Sequence, residues 1–231
     1  MSASATRIRA GALAFATAGS LFILYPATRP WHDESTVEGA IRSMSSNWWD
    51  AAHLFAMIGF ILVPLGLLAL HSVVQRTRAE AVAGAAVLFS WLGAGLTLPH
   101  YGAEDFGLHA ITTGAARDHL DLLEVKAIRY GPAAITTFGL GLTLLGVGAI
   151  LAAVAVARSG LLPRWSGVLF AIAFATLIPQ FFAGAGVRIG HGVLTALGLG
   201  SLAFVIWRAS PAAAHAEGSH RSATDGTADP G

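Results

Sequence analysis

Residues 51–75 read AAHLFAMIGFILVPLGLLALHSVVQ, a stretch with no aspartate, glutamate, lysine or arginine. About 20 apolar residues, rising 1.5 Å each, cross the hydrocarbon core of a bilayer. The same reading recurs at 10–28, 81–103, 130–157, 165–187 and 189–207, each free of formal charge. These runs are unbroken Ala, Leu, Gly, Val, Phe and Ile, without the ten-residue alternation of membrane β-barrel strands. The expectation is therefore an all-α integral membrane protein, a bundle of six transmembrane helices over residues 1–208. From Ala209 the composition turns to Ser, Ala, Gly, Asp and Pro, which predicts a disordered cytoplasmic tail over 209–231.

Composition agrees. Of 231 residues, 55 % are hydrophobic and 12 % charged, and the mean hydropathy is +0.64; soluble domains carry about 25 % charged residues. A net charge of +1 leaves no basic footprint for nucleic acid, so none is expected as a partner. The absence of cysteine excludes disulfides, thiolate metal sites, iron–sulfur clusters and thiol nucleophiles. Arginine outnumbers lysine thirteen to one among abundant Ala and Gly, a composition that suggests a GC-rich bacterial genome and a multi-pass protein of the bacterial cytoplasmic membrane.

Arg7 and Arg9 before an apolar run also describe a signal peptide, but the exit, Leu24-Tyr25-Pro26-Ala27-Thr28-Arg29-Pro30, is a poor cleavage site. The first helix is expected to stay. Cationic residues favour the cytoplasmic side. With both termini inside, the inner segments hold Arg7, Arg9, Arg76, Arg78, Arg158, Arg164, Arg208 and Arg221, and the outer ones Arg29, Arg42, Arg117, Lys126, Arg129 and Arg188. The inner connections, 76–80 and 158–164, are short and force antiparallel neighbours. The outer loops are longer. The first, about 29–50, carries Trp31, Trp48 and Trp49, expected as headgroup anchors. The second, about 104–129, carries Leu120, Leu123, Ala127 and Ile128 at helical spacing, which predicts a short helix capping the bundle or lying on the membrane.

The chemistry gathers toward the outer ends. His53, His100 and His191 lie near the outer boundary of three different helices, and polar groups at membrane depth face the bundle interior and mark function. Beside them runs Pro99-His100-Tyr101-Gly102-Ala103-Glu104-Asp105-Phe106-Gly107-Leu108-His109. If the helix continues through this stretch, His100 and Glu104 share a face, and so do Asp105 and His109; Gly102 and Gly107 are the places where it would break. Histidine and carboxylate at that spacing can hold a metal ion or act as an acid–base pair.

The sharpest expectation is an outward-facing site with His53, His100, His109 and His191 as metal ligands and Glu104 and Asp105 as catalytic acids or bases. Such a donor set suits zinc, copper or non-haem iron, and two histidines on facing helices suit haem b. Tyr101, Arg129 and Arg188 are candidate substrate-binding residues, the arginines for an anionic group, with interfacial snorkelling as their alternative. No Walker loop, dinucleotide fingerprint, H-E-x-x-H or G-x-S-x-G motif occurs. Three classes follow: a metal or haem membrane oxidoreductase acting on a lipophilic substrate, a cofactor-free isomerase, cyclase or lyase, and a non-enzymatic carrier, sensor or scaffold. Membrane lipid is the expected surrounding partner, and oligomeric state is left open.

Overall fold

A computed structural model describes residues 3–114 and 118–225. Among them there is no strand, and the chain forms an all-helical bundle. In chain order the helices are α1 (Ala3–Thr28), α2 (Val37–Met44), α3 (Asn47–Val74), α4 (Glu80–Gly102), α5 (His109–Thr113), α6 (Leu122–Tyr130), α7 (Pro132–Ser159), α8 (Val168–Ala175), α9 (Leu177–Gln180) and α10 (Ala185–Asp225). A π-helical turn, Ala103–Leu108, joins α4 to α5 without a break. Five helical stretches are long and apolar enough to cross a membrane: Ser4–Thr28, Asn47–Val74, Glu80–Thr113, Pro132–Ser159 and Ala185–Ser210. By length and composition the architecture is compatible with a multi-pass membrane protein, since helices satisfy every backbone polar group internally in lipid.

The run 165–187 departs from the expected single span. Its helix is broken into α8 and α9, and a turn follows before α10. Two residues account for the break. Pro179 has no N–H to give the Ala175 carbonyl, and its ring crowds that carbonyl. Thr176 turns its hydroxyl back onto the carbonyls of Ile172 (2.7 Å) and Ala173 (3.1 Å), a contact that bends helices. The 13 residues from Val168 to Gln180 span about 20 Å, short of the ~30 Å core.

Lipid is as apolar as leucine, so close packing holds the helices together in place of the hydrophobic effect. α1 lies against α3 and α10, and α4 against α7. The α4–α7 approach depends on small residues: a Cβ on Gly93 would sit 2.7 Å from the Gly141 carbonyl oxygen and from the Leu145 nitrogen. Phe15, Phe22, Phe60, Phe170 and Phe174 fill the centre, with Phe22 and Phe60 edge to face at 4.9 Å. At one end the Arg9 Nε donates to Ser210 Oγ (3.1 Å), joining the start of α1 to α10. The Arg78 Nε donates to the Arg158 carbonyl (2.9 Å), tying the two short turns together.

The opposite end carries the long loops. α2 packs there with Trp49, Leu108 and Val125 in a second small core. Of the three tryptophans expected as anchors, Trp48 is exposed, whereas Trp49 is completely buried and Trp31 lies under the Arg29 and Arg188 guanidinium groups. Their indoles find cationic and hydrogen-bonding partners inside the protein, which headgroups would otherwise supply. α6 forms where a helix was expected and is capped by Asp121, whose Oδ1 accepts from the Leu123 N–H (2.8 Å). It buries Val125 and Arg129 rather than Leu123 and Ala127, which are exposed. The helical backbone of α10 continues past Ala209 to Asp225, and Arg117 and residues 226–231 lie outside the described residues.

Candidate functional site

The helix does continue through residues 99–109, and it does so by widening. The π-helical turn accommodates Gly102 and Gly107 and aims Glu104 and Asp105 at different partners. Such turns are frequent at functional sites. Glu104 faces the middle of the bundle. The His53 Nε2 lies 3.2 Å from its Oε2, the His100 Nε2 3.7 Å from its Oε1, and the Arg129 Nε 2.8 Å from its Oε1. Asp105 is fully buried beside Asp50, and Asp50 in turn has the His109 Nδ1 at 3.2 Å. The i, i+4 pairs His100/Glu104 and Asp105/His109 thus belong to two separate clusters.

The Glu104 cluster is one of linked charges. Arg129 stands between two carboxylates, with its Nη1 donating to Glu34 Oε2 (2.6 Å) and its Nε within ion-pair distance of Glu104 Oε1. The other Glu34 oxygen binds Arg29 Nη2, also at 2.6 Å. Burial alone would lower the Arg129 pKa, but the Glu104 and Glu34 carboxylates outweigh it and raise the pKa above the usual guanidinium value. Trp49 fixes the geometry from beneath: its Nε1–H donates to the Glu104 carbonyl (3.0 Å), and its ring stacks under Arg29 and Arg129.

His53 is completely buried, and its protons can be counted from its partners. Nδ1 lies 2.8 Å from the Trp49 carbonyl oxygen, which can only accept, so Nδ1 carries hydrogen. Nε2 faces the Glu104 carboxyl. A hydrogen bond between them requires one shared proton, on imidazolium or on carboxylic acid. Such a contact is one that an acid–base pair can use.

The pair stands beside a cavity of about 540 Å³. Its polar wall carries His100, Tyr101, Glu104, Arg129 and Arg188, together with Tyr25, Arg29 and Glu34; its apolar wall is built by Ile135, Phe138, Leu142, Ile178, Phe181 and Phe182 from α7, α9 and the turn after α9. Ile135, Ile178 and Phe182, at the apolar wall, are exposed. The His100 ring stacks on Phe138 at 4.0 Å.

Of the residues singled out from sequence, His100, Tyr101, Glu104, Arg129 and Arg188 line the cavity and His53 backs Glu104. Asp105, His109 and His191 lie apart from it. His109 donates Nδ1–H to the Met44 carbonyl at the end of α2 (2.8 Å). His191 donates Nε2–H to the Ala173 carbonyl (2.8 Å), one of the acceptors freed by the α8 break. Among the described residues no three His, Asp or Glu side chains are gathered closely enough to hold a metal ion. Arg129 and Arg188 are buried and so do not snorkel to the interface. Sequence reading missed Tyr25, Arg29, Glu34 and Trp49. Arg29 and Glu34 carry no spacing signal; they sit in an outer loop whose inward fold depends on α6. No protein-family model, curated protein or solved structure matches the chain.

Proposed function

We propose that this chain is a membrane enzyme that moves a proton on an amphiphilic substrate without needing a metal, in the class of isomerases, cyclases or lyases. The observation that carries the reading is the Glu104–His53 pair at the polar end of a cavity whose other wall is apolar. A substrate entering from the bilayer would leave its apolar part against Phe138, Phe181 and Phe182 and present its polar part to Glu104. Glu104 or His100 would take or give the proton, and His53, oriented by the Trp49 carbonyl, would hold it. Binding groups that project from several helices onto a largely apolar cavity are typical of sites for small molecules.

The topology we propose has six crossings with both termini cytoplasmic, the fifth made by the broken α8–α9 pair together with the turns on either side of it, residues 160–184, because the two short helices do not reach across alone. The join of Arg9 to Ser210 supports it, because both ends of the chain then lie on one face. So does the burial of Arg29, Arg129 and Arg188: three of the six cations counted on the outer side are internal, and the exposed positive charge leans further to the cytoplasmic face.

The experiment is solvent-exchange labelling. Detergent-purified protein is incubated in D2O with a total lipid extract, and lipids are screened by mass spectrometry for protein-dependent deuterium uptake at carbon. Uptake with the wild type and none with Glu104→Gln is expected; no labelled lipid with either protein refutes the acid–base reading.

A further inference from the structure

Arg188 stands in the first turn of α10 and is 8 % exposed, yet it has no carboxylate within ion-pair distance among the described residues. Its partners are neutral. Nε donates to Gln180 Oε1 (3.2 Å) and Nη2 to the Tyr25 hydroxyl (3.0 Å). The faces of Phe181, Trp31 and Tyr25 surround the guanidinium at 4.8, 5.0 and 5.8 Å. A buried charge normally has a counter-charge, because removing it from water unpaired is costly.

The other two arginines of the cavity are already neutralised. Arg29 and Arg129 share Glu34, and Arg129 also holds Glu104. Three guanidinium groups therefore face two carboxylates, an excess of one positive charge. Arg188 is where the excess sits, and it lines the 540 Å³ cavity. Tyr25 and Gln180 hold the guanidinium by one edge and leave donors on the other.

We infer that Arg188 is an oxyanion site, and that the amphiphile of this cavity carries a carboxylate or phosphate head bound by it. The inference rests on the amphiphile reading above and sharpens it. The head lies among Arg188, Tyr25 and Trp31, and the tail runs past Phe181 toward the exposed side chains of Ile178 and Phe182. The head is thereby fixed on the wall across which Glu104 meets the substrate.

The test uses the full chain in a neutral maltoside detergent. Binding is followed by tryptophan fluorescence, since Trp31 lies against the Arg188 guanidinium. Four probes are titrated: oleate, phosphatidic acid, inorganic phosphate and the uncharged oleyl alcohol. Oleate or phosphatidic acid is expected to bind about tenfold or more tighter than oleyl alcohol, the scale of a charge-assisted hydrogen bond. The tighter of the two acids identifies the head as carboxylate or phosphate. Arg188→Gln should abolish that preference, weakening the acids far more than oleyl alcohol, while Arg188→Lys should keep part of it. Tyr25→Phe, which retains the charge and releases one edge of the guanidinium, should reduce the preference, and it serves as the readout if Arg188→Gln does not fold. Equal binding of oleate, phosphatidic acid and oleyl alcohol overturns the oxyanion site and leaves the amphiphile reading standing. Inorganic phosphate binding as tightly as the lipids keeps the oxyanion site and overturns the amphiphile. No binding of any probe overturns both.

Discussion

Replacing Arg129 with glutamine removes the cation that joins two carboxylates. In the folded protein its Nη1 and Nε lie 2.6 and 2.8 Å from Glu34 and Glu104, and the arginine side chain is 8 % exposed, against 17 % and 15 % for the glutamates. All three groups are well inside the range where water screens little. Breaking such a pair leaves uncompensated charge behind, and the expected loss is about 3–5 kcal/mol. Glu104→Gln removes one of the stranded charges, so the double variant Arg129→Gln/Glu104→Gln should be more stable than the two single losses add up to, by about 1–3 kcal/mol. Arg129→Lys supplies one point charge where a fork reaches two acids, and should recover only part of the loss. The raised pKa of Arg129 sets the sign of any pH dependence. A group whose pKa is raised on folding contributes fully below its unfolded value and loses that contribution only as pH climbs through the folded one. Both lie far above neutrality, so the arginine's own contribution stays constant between about pH 6 and 9. Equilibrium unfolding of the detergent-solubilised variants in mixed micelles, followed by circular dichroism, measures all of these. A loss below about 1 kcal/mol for Arg129→Gln, or strict additivity in the double variant, would refute the linked-charge reasoning.

Three further outcomes follow from the packing and the site. Trp49→Phe keeps most of the ring but removes the donor to the Glu104 carbonyl; the same unfolding assay should register a loss of about 1–3 kcal/mol for that unsatisfied group, and an unchanged stability would mean that the bond contributes nothing. Gly93→Ala puts a methyl group 2.7 Å from the Gly141 carbonyl oxygen, forcing α4 and α7 apart at an expected cost of about 1–3 kcal/mol, whereas a methyl group at Gly95, which meets nothing within 4 Å, should be tolerated. Elemental analysis of untagged protein for zinc, iron, copper and manganese separates the acid–base reading from a metal enzyme: sub-stoichiometric content should accompany full deuterium exchange, and one metal ion per chain that disappears in His53→Ala would replace the present reading with metal ligation.

The bundle was legible in one dimension because the bilayer imposes a one-dimensional rule. Charge-free runs of sufficient length mark helices whatever their neighbours do, and five such stretches are continuous helices in the structure. The run 165–187 shows the limit of that rule. Apolarity says that a segment is compatible with lipid, but Thr176 and Pro179 decide that its backbone is not one helix. Glu104, His53 and His100 drew attention for a related reason, since an ionisable residue in an apolar run is costly, and the structure places the three side chains together.

What the sequence by itself determined is the all-helical class, the positions of five long apolar helices and the stretch where His53, His100 and Glu104 gather, all of which follow from local composition and i, i+4 spacing. Tertiary structure alone decided which polar groups meet. Asp105, next to Glu104 in the chain, turns to Asp50 because the π-helical turn separates their directions. Glu34, 70 residues before Glu104, joins the same ion network through Arg129. His191 faces a carbonyl released by a helix break in α8. Each pairing depends on distance through space, set by how loops fold over helix ends, and no spacing along the chain encodes it.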